Sequence, residues 1–166
     1  MARILMAGFG NDDAATVLAN LREKGVTRLF DVRHGSDMNN PKACSVVKLT
    51  AAAEGSDIKY TYLGGTLGGK PELNSSVNFG TFDYKTIITM DGFQDAVADI
   101  KTTAENEVVC IASAELNPMK SHRGRVLAHE FLKDGHIVVH VTRSGKMISH
   151  DQAQLDDSDG QMSLFD

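Results

Sequence analysis

Alternating strand-like and helix-like segments predict a three-layer α/β domain with a mostly parallel sheet. Three observations carry that expectation. The first third reads as strand, helix, strand, and the alternation then continues toward the C terminus. In addition, Val108-Val109-Cys110-Ile111-Ala112 is an uninterrupted apolar run, as expected of a strand buried on both faces. The 166 residues, 42% of them hydrophobic and 15 of them glycine, suffice for one domain with a sizeable core.

The elements follow in order. Arg3-Ile4-Leu5-Met6-Ala7 opens as a strand, and after Gly8-Phe9-Gly10 the segment Asn11-Asp12-Asp13 caps a helix with Ala14, Val17, Leu18 and Leu21 on one face. Gly25 stops it, and residues 26–32 form a second strand, which makes a βαβ unit with a right-handed crossover. Asn40-Pro41 supplies a cap and first-turn pair for a helix through about Ala53, and residues 58–62 alternate as a strand. Residues 64–82 show little periodicity and much glycine, asparagine and serine; connections this long are often functional. Asp91, with Gln94 in capping-box position, opens a helix carrying Phe93, Ala96, Val97 and Ile100. The Val108 strand comes next, then a helix capped by Ser121 that packs Val126, Leu127, Phe131 and Leu132. A stop at Gly135 and the strand 137–141 complete the series. Residues 1–150 read as a single α/β domain and 151–166 as an acidic tail.

Charge narrows the function classes. The net charge is −5, but five aspartates and no basic residue lie in 151–166, so the body balances at 17 basic and 17 acidic residues. That is not the global basicity of a tight, nonspecific DNA binder. Charge is arranged locally instead: Lys120, Arg123, Arg125, Lys133, Arg143 and Lys146 share one stretch with His122, His129, His136, His140 and His150. No segment approaches the roughly 18 apolar residues of a membrane span, and the start is too quickly polar for a signal peptide. A cytoplasmic protein without membrane association is expected. Cys44 and Cys110 are too few for a disulfide framework and lack zinc-site spacing, so they read as packed thiols.

The chemistry concentrates in residues 113–125, which leave an apolar strand and enter a helix. In open α/β sheets the ligand crevice lies beyond the carboxyl ends of the strands, where helix N-termini meet anions. Asp31 and Arg33 share one side of a pleat at another strand end, and two readings stay open: a buried pair closing the strand, or a planar fork for phosphate. If the first, second and fifth strands are neighbours, Arg33, Glu115, Ser121, His122 and Arg123 converge on one crevice. His122 at a helix start is a candidate neutral base or a surface cap; Glu115 is a candidate general acid or base, or a turn acceptor. Ser113, Arg125 and Lys70 complete the candidate binding set. His129, His136 and His140 lack ligand spacing, so no metal is expected. The segment 64–71 lacks both Walker spacing and the dinucleotide fingerprint, and no cofactor is expected. Gly64 to Gly69 serve either as a flexible turn or as a close backbone approach that brings Lys70 over the crevice.

Taken together, the opening strand with Gly8, the tripeptide Asp31-Val32-Arg33, Leu67-Gly68-Gly69-Lys70-Pro71, Phe93-Gln94, Ser113-Ala114-Glu115 and Ser121-His122-Arg123 resemble the family catalogued as domain of unknown function 488. The family pattern reads Cys-Ala-Glu and then Cys-His-Arg; here the eight-residue offset is kept and both cysteines are serine. The resemblance implies a Rossmann-like α/β domain. It imports neither thiol redox chemistry nor a thiolate-held metal, because the thiols are gone. Serines that mark a non-catalytic member are one reading, and whether the chain is an enzyme stays open.

A second resemblance is terminal. Gln161-Met162-Ser163-Leu164-Phe165 is similar to the peptide with which bacterial proteins dock on the DNA sliding clamp, following the polar segment 151–160 as a solvated tether. Leu164 and Phe165 would fill an apolar pocket and Gln161 would hydrogen-bond at its edge, unless the terminus packs back on the domain. The expectation is a protein of DNA metabolism or repair with a crevice for nucleotide or nucleic-acid phosphate and a clamp tether. A small-molecule hydrolase or transferase acting on an anionic substrate is the alternative.

Overall fold

The computed structural model describes residues 1–35, 40–69 and 84–158. Lys70 and the tail residues Gln161, Leu164 and Phe165 lie outside the described residues, as does most of the 64–82 segment.

Strands β1 (Arg3–Gly8), β2 (Arg28–Asp31), β3 (Lys59–Tyr62), β4 (Val109–Ser113), β5 (Ile137–Val141) and β6 (Met147–Ser149) form one sheet in the order β3-β2-β4-β1-β5-β6. Every pairing is parallel except β5 with β6, a short return that ends the sheet. The strand leading to Glu115 and Arg123 is thus the fourth, not the fifth, and it lies between β1 and β2. That position brings three carboxyl ends side by side.

Period-two alternation divides the core into two layers. Ile4, Met6, Phe30, Ile111 and Val138 face one side, under α5 (Phe93–Ala104) and α6 (Ala128–Leu132). Leu5, Leu29, Cys110 and Val141 face the other, under α1 (Ala14–Glu23) and α2 (Val46–Glu54). Short helical turns α3 (Gly64–Leu67) and α4 (Tyr84–Ile87) flank the long segment. The three-layer expectation holds.

Local chemistry moved several boundaries. Asp13 caps α1 through Thr16 N–H, as anticipated. Asn40 does not begin α2: its side chain and carbonyl accept from Lys42 and Ala43 N–H in a self-contained turn, and the helix starts five residues later under Ser45, whose Oγ accepts from Lys48 N–H. The Asp91–Gln94 capping box is absent; Gly92 holds the cap at φ 75° and Gln94 donates to the Ile88 carbonyl and Glu130. Ser121 does cap its helix, with Oγ accepting from Arg123 N–H at 3.3 Å, but the first full turn is a π-turn over Arg123–Leu127 before α6 begins. Leu132 sits at the surface rather than in the core.

The acidic segment also differs from a solvated tether. Ser149 Oγ accepts from Gln152 N–H and starts α7 (His150–Ser158), which buries Ala153 against Met119 and Ile148. The packed body therefore runs to Ser158. Ser149-His150-Asp151-Gln152 is the capping-box pattern that signals this helix. Among the described residues no helix is long and apolar enough to cross a membrane.

One glycine fixes how closely the site loop crosses the sheet. A Cβ at Gly8 would stand 2.3 Å from the Glu115 carbonyl oxygen and 2.7 Å from Leu116 Cα, both backbone. Gly65 has nothing within 4 Å among the described residues. Gly8→Ala is expected to lose about 1–3 kcal/mol of stability in denaturant unfolding, whereas Gly65→Ala stays within about 0.5 kcal/mol.

Candidate functional site

The end of β2 carries a closed ionic cluster. Asp31 accepts from Arg33 Nε at 3.0 Å and from the terminal guanidinium nitrogen at 2.7 Å, and from the Tyr60 hydroxyl at 2.8 Å. Arg33 also donates to the Cys44 carbonyl at 2.5 Å and lies over the Phe9 ring at 4.3 Å. Both charges are buried. Burial works against the Arg33 charge, but the hydrogen bond and the charge of Asp31 outweigh it, and the guanidinium is held more firmly protonated than usual. Burial, then Asp31, pushes the Tyr60 phenol upward. Of the two readings left open by the sequence, the geometry is the buried pair.

A second buried arginine organises the end of β4. Arg123 donates to Ser113 Oγ at 2.5 Å, to the Glu115 carbonyl at 2.5 Å and to the Leu116 carbonyl at 2.8 Å. Ser113 Oγ and Ser121 Oγ are themselves 2.8 Å apart. Arg123 is fully buried with no ion pair among the described residues, and desolvation lowers its pKa to about 10. The guanidinium thereby draws the 113–116 loop across the end of β1, where Gly8 leaves room.

Above these clusters an open crevice of about 390 Å³ lies beyond the carboxyl ends of β1, β2 and β4. Its polar walls are Asn11, Arg33, Asn40, Glu115, Asn117 and Lys120. β1 and β2 hand the chain to helices on one face and β4 to a helix on the other, so this is the switch point where α/β sheets bind ligands.

The predicted residues separate into levels. Arg33 and Glu115 reach the crevice; Glu115 is exposed. Asp31, Ser113, Ser121 and Arg123 lie beneath it, buried. His122 is buried too, not a surface cap, and the backbone at Gly69, with φ +72°, closes on its ring: a Cβ there would stand 2.6 Å from His122 Cγ. Arg125 lines a different groove altogether. His136 accepts from Ala2 N–H, His129 stacks edge-on with Tyr84, and His140 pairs with His150. Among the described residues no three His, Cys, Asp or Glu lie together as a metal cage. Cys44 and Cys110 are buried free thiols whose pKa burial raises, Cys110 to about 12.

Asn11, Asn40 and Asn117 are crevice residues that the sequence does not single out, and Lys120, which it marks only as part of a basic stretch, joins them. The first two have the composition of caps, and Asn117 does cap Met119 N–H while lining the site. Only the adjacency of the three strand ends identifies them.

The family described as Domain of unknown function DUF488 matches residues 13–130 of the chain. No curated protein and no solved structure matches it.

Two expectations follow from the buried charges. Asp31→Asn leaves the Arg33 charge buried and unpaired, and chemical denaturation should show a loss of about 3–5 kcal/mol. His140 has its pKa lowered from 6.5 to about 3, by burial and then by the charge of Arg123 and His150. The unfolded chain then binds a proton that the folded one refuses: this contribution is complete above about pH 6.5 and is lost as pH falls toward 3. Thermal unfolding between about pH 6.5 and 4.5 should lose about 1 kcal/mol per pH unit, a slope that His140→Leu reduces.

Proposed function

The chain belongs to the DUF488 family, and from that premise we propose that it is a protein of DNA metabolism that takes a nucleotide or nucleic-acid phosphate in the crevice beyond β1, β2 and β4, and docks through Gln161, Leu164 and Phe165 on a DNA sliding clamp. The crevice carries the reading. Lys120 offers phosphate an exposed point charge, and Asn11 and Asn40 add carboxamide donors and acceptors of the kind that meet base edges, whereas the Asn117 carboxamide is engaged by Met119 N–H and Asp157. Arg33 forms part of the floor while staying paired with Asp31. Arg123 contributes at longer range: a buried cation without an ion pair among the described residues leaves positive potential behind the crevice wall.

Binding is better supported than serine chemistry. Ser113 and Ser121 are buried against each other and against Arg123, and no base among the described residues activates either hydroxyl. Glu115 is the one carboxylate in the crevice wall among the described residues, and it favours, as a second reading, a hydrolase or transferase in which it serves as acid or base. A clamp tether raises the local concentration at DNA, which offsets a body without net positive charge.

Calorimetric titration of the full chain with a nucleoside monophosphate and with short single-stranded DNA tests the crevice. Lys120→Ala should weaken binding by about tenfold; no binding, or binding indifferent to Lys120→Ala, overturns it. For the tail, the Leu164→Ala/Phe165→Ala variant should lose capture by purified clamp and keep crevice binding. Undiminished capture contradicts the tether.

A further inference from the structure

A second groove, of about 470 Å³, lies on the far side of the π-turn, between that turn and α7. Its polar walls are Tyr84, Arg125, His129, His150, Asp151 and Gln154. The crevice reading does not use it. The feature behind it is a pair of buried histidines: His140 Nε2 and His150 Nδ1 are 2.9 Å apart, and His140 Nδ1 is buried with no partner among the described residues.

That unpartnered nitrogen fixes the hydrogens. A hydrogen on His140 Nδ1 would strand a donor in the core, facing the same positive field of Arg123 that disfavours charge on this ring. The bare lone pair is favoured there, so His140 carries its hydrogen on Nε2 and donates to His150 Nδ1. His150 then carries its own hydrogen on Nε2, the side of the ring left for the groove wall. Protonating His150 would require His140 to turn its donor back into the core; both rings are held neutral. The result is a fixed N–H donor rather than a titrating base.

We propose that this groove is a second ligand site, taking a small oxyanion, phosphate or carboxylate, on the Nε2–H of His150 as oriented by His140. The charges around it suit that class. Arg125 lines the groove and buried Arg123 lies behind His140; the nearby carboxylate of Glu130 bonds to Lys133, Tyr84 and Gln94. Asp151 is the opposing charge, at an exposed position. His129 and Gln154 add polar atoms that complete the lining.

Long-range proton–nitrogen NMR of the imidazoles, recorded on the full chain at about pH 7.5 while inorganic phosphate is titrated at constant ionic strength, tests the site. Both His140 and His150 should be Nε2–H tautomers, and the His150 and His129 signals should move saturably, unaltered by Lys120→Ala in the crevice. Saturation by acetate as well assigns carboxylates to the same site; saturation by phosphate alone assigns phosphate. His150→Gln, whose amide nitrogen replaces the Nε2 donor, should bind within about threefold of the parent, and His150→Phe should bind at least about tenfold more weakly. An Nδ1–H tautomer at His150, an absence of saturable shift, or a folded His150→Phe that binds like the parent overturns the proposal. Where His150→Phe does not fold, tautomer and titration of the unaltered chain decide it alone.

Discussion

The site end of this molecule depends on one fully buried guanidinium. Moving such a group out of water costs several kcal/mol unless hydrogen bonds replace what hydration supplied. Arg123 meets that cost with the Ser113 hydroxyl and the carbonyls of Glu115 and Leu116. Ser113 ends β4, and Glu115 and Leu116 follow within three residues, so satisfying the charge fixes the loop that leaves the strand. Once fixed, the loop crosses β1 at Gly8, turns Glu115 and Asn117 outward and becomes one wall of the crevice.

The two buried arginines do different electrostatic work. Arg33 is neutralised in place by Asp31, with Tyr60 and Cys44 using the remaining hydrogen-bonding capacity, and it closes the floor. Arg123 is hydrogen-bonded but carries no ion pair among the described residues, so its field extends to His140 on the opposite side. The serines at 113 and 121 fit this arrangement as neutral acceptors.

Much of the fold was legible because it rests on periodicity. The two-residue alternation of β1 and the helical spacing of Ala14, Val17, Leu18 and Leu21 each name a buried face, and the structure puts those faces in the two core layers. Helix starts were less legible, since Asn40 and Asp91 have good capping chemistry that other local bonds claim first. The site was legible as a region but not as a set of roles. Nothing in Arg33, Arg123 or His122 read singly reveals that the side chain is buried; that depends on β4 lying between β2 and β1, a long-range pairing. The same pairing brings Asn117, a turn residue in sequence, and Lys120, one of a basic stretch, to the crevice wall.

In the proposed function the buried arginines build the crevice while Lys120 and the asparagines contact what it holds. A crystal structure with a nucleoside monophosphate bound tests it most directly. The phosphate is expected against Lys120, with Arg33 still on Asp31 and Arg123 still on Ser113 and the carbonyls of Glu115 and Leu116. An arginine released from those partners onto the phosphate, or a ligand seated away from the ends of β1, β2 and β4, would contradict it.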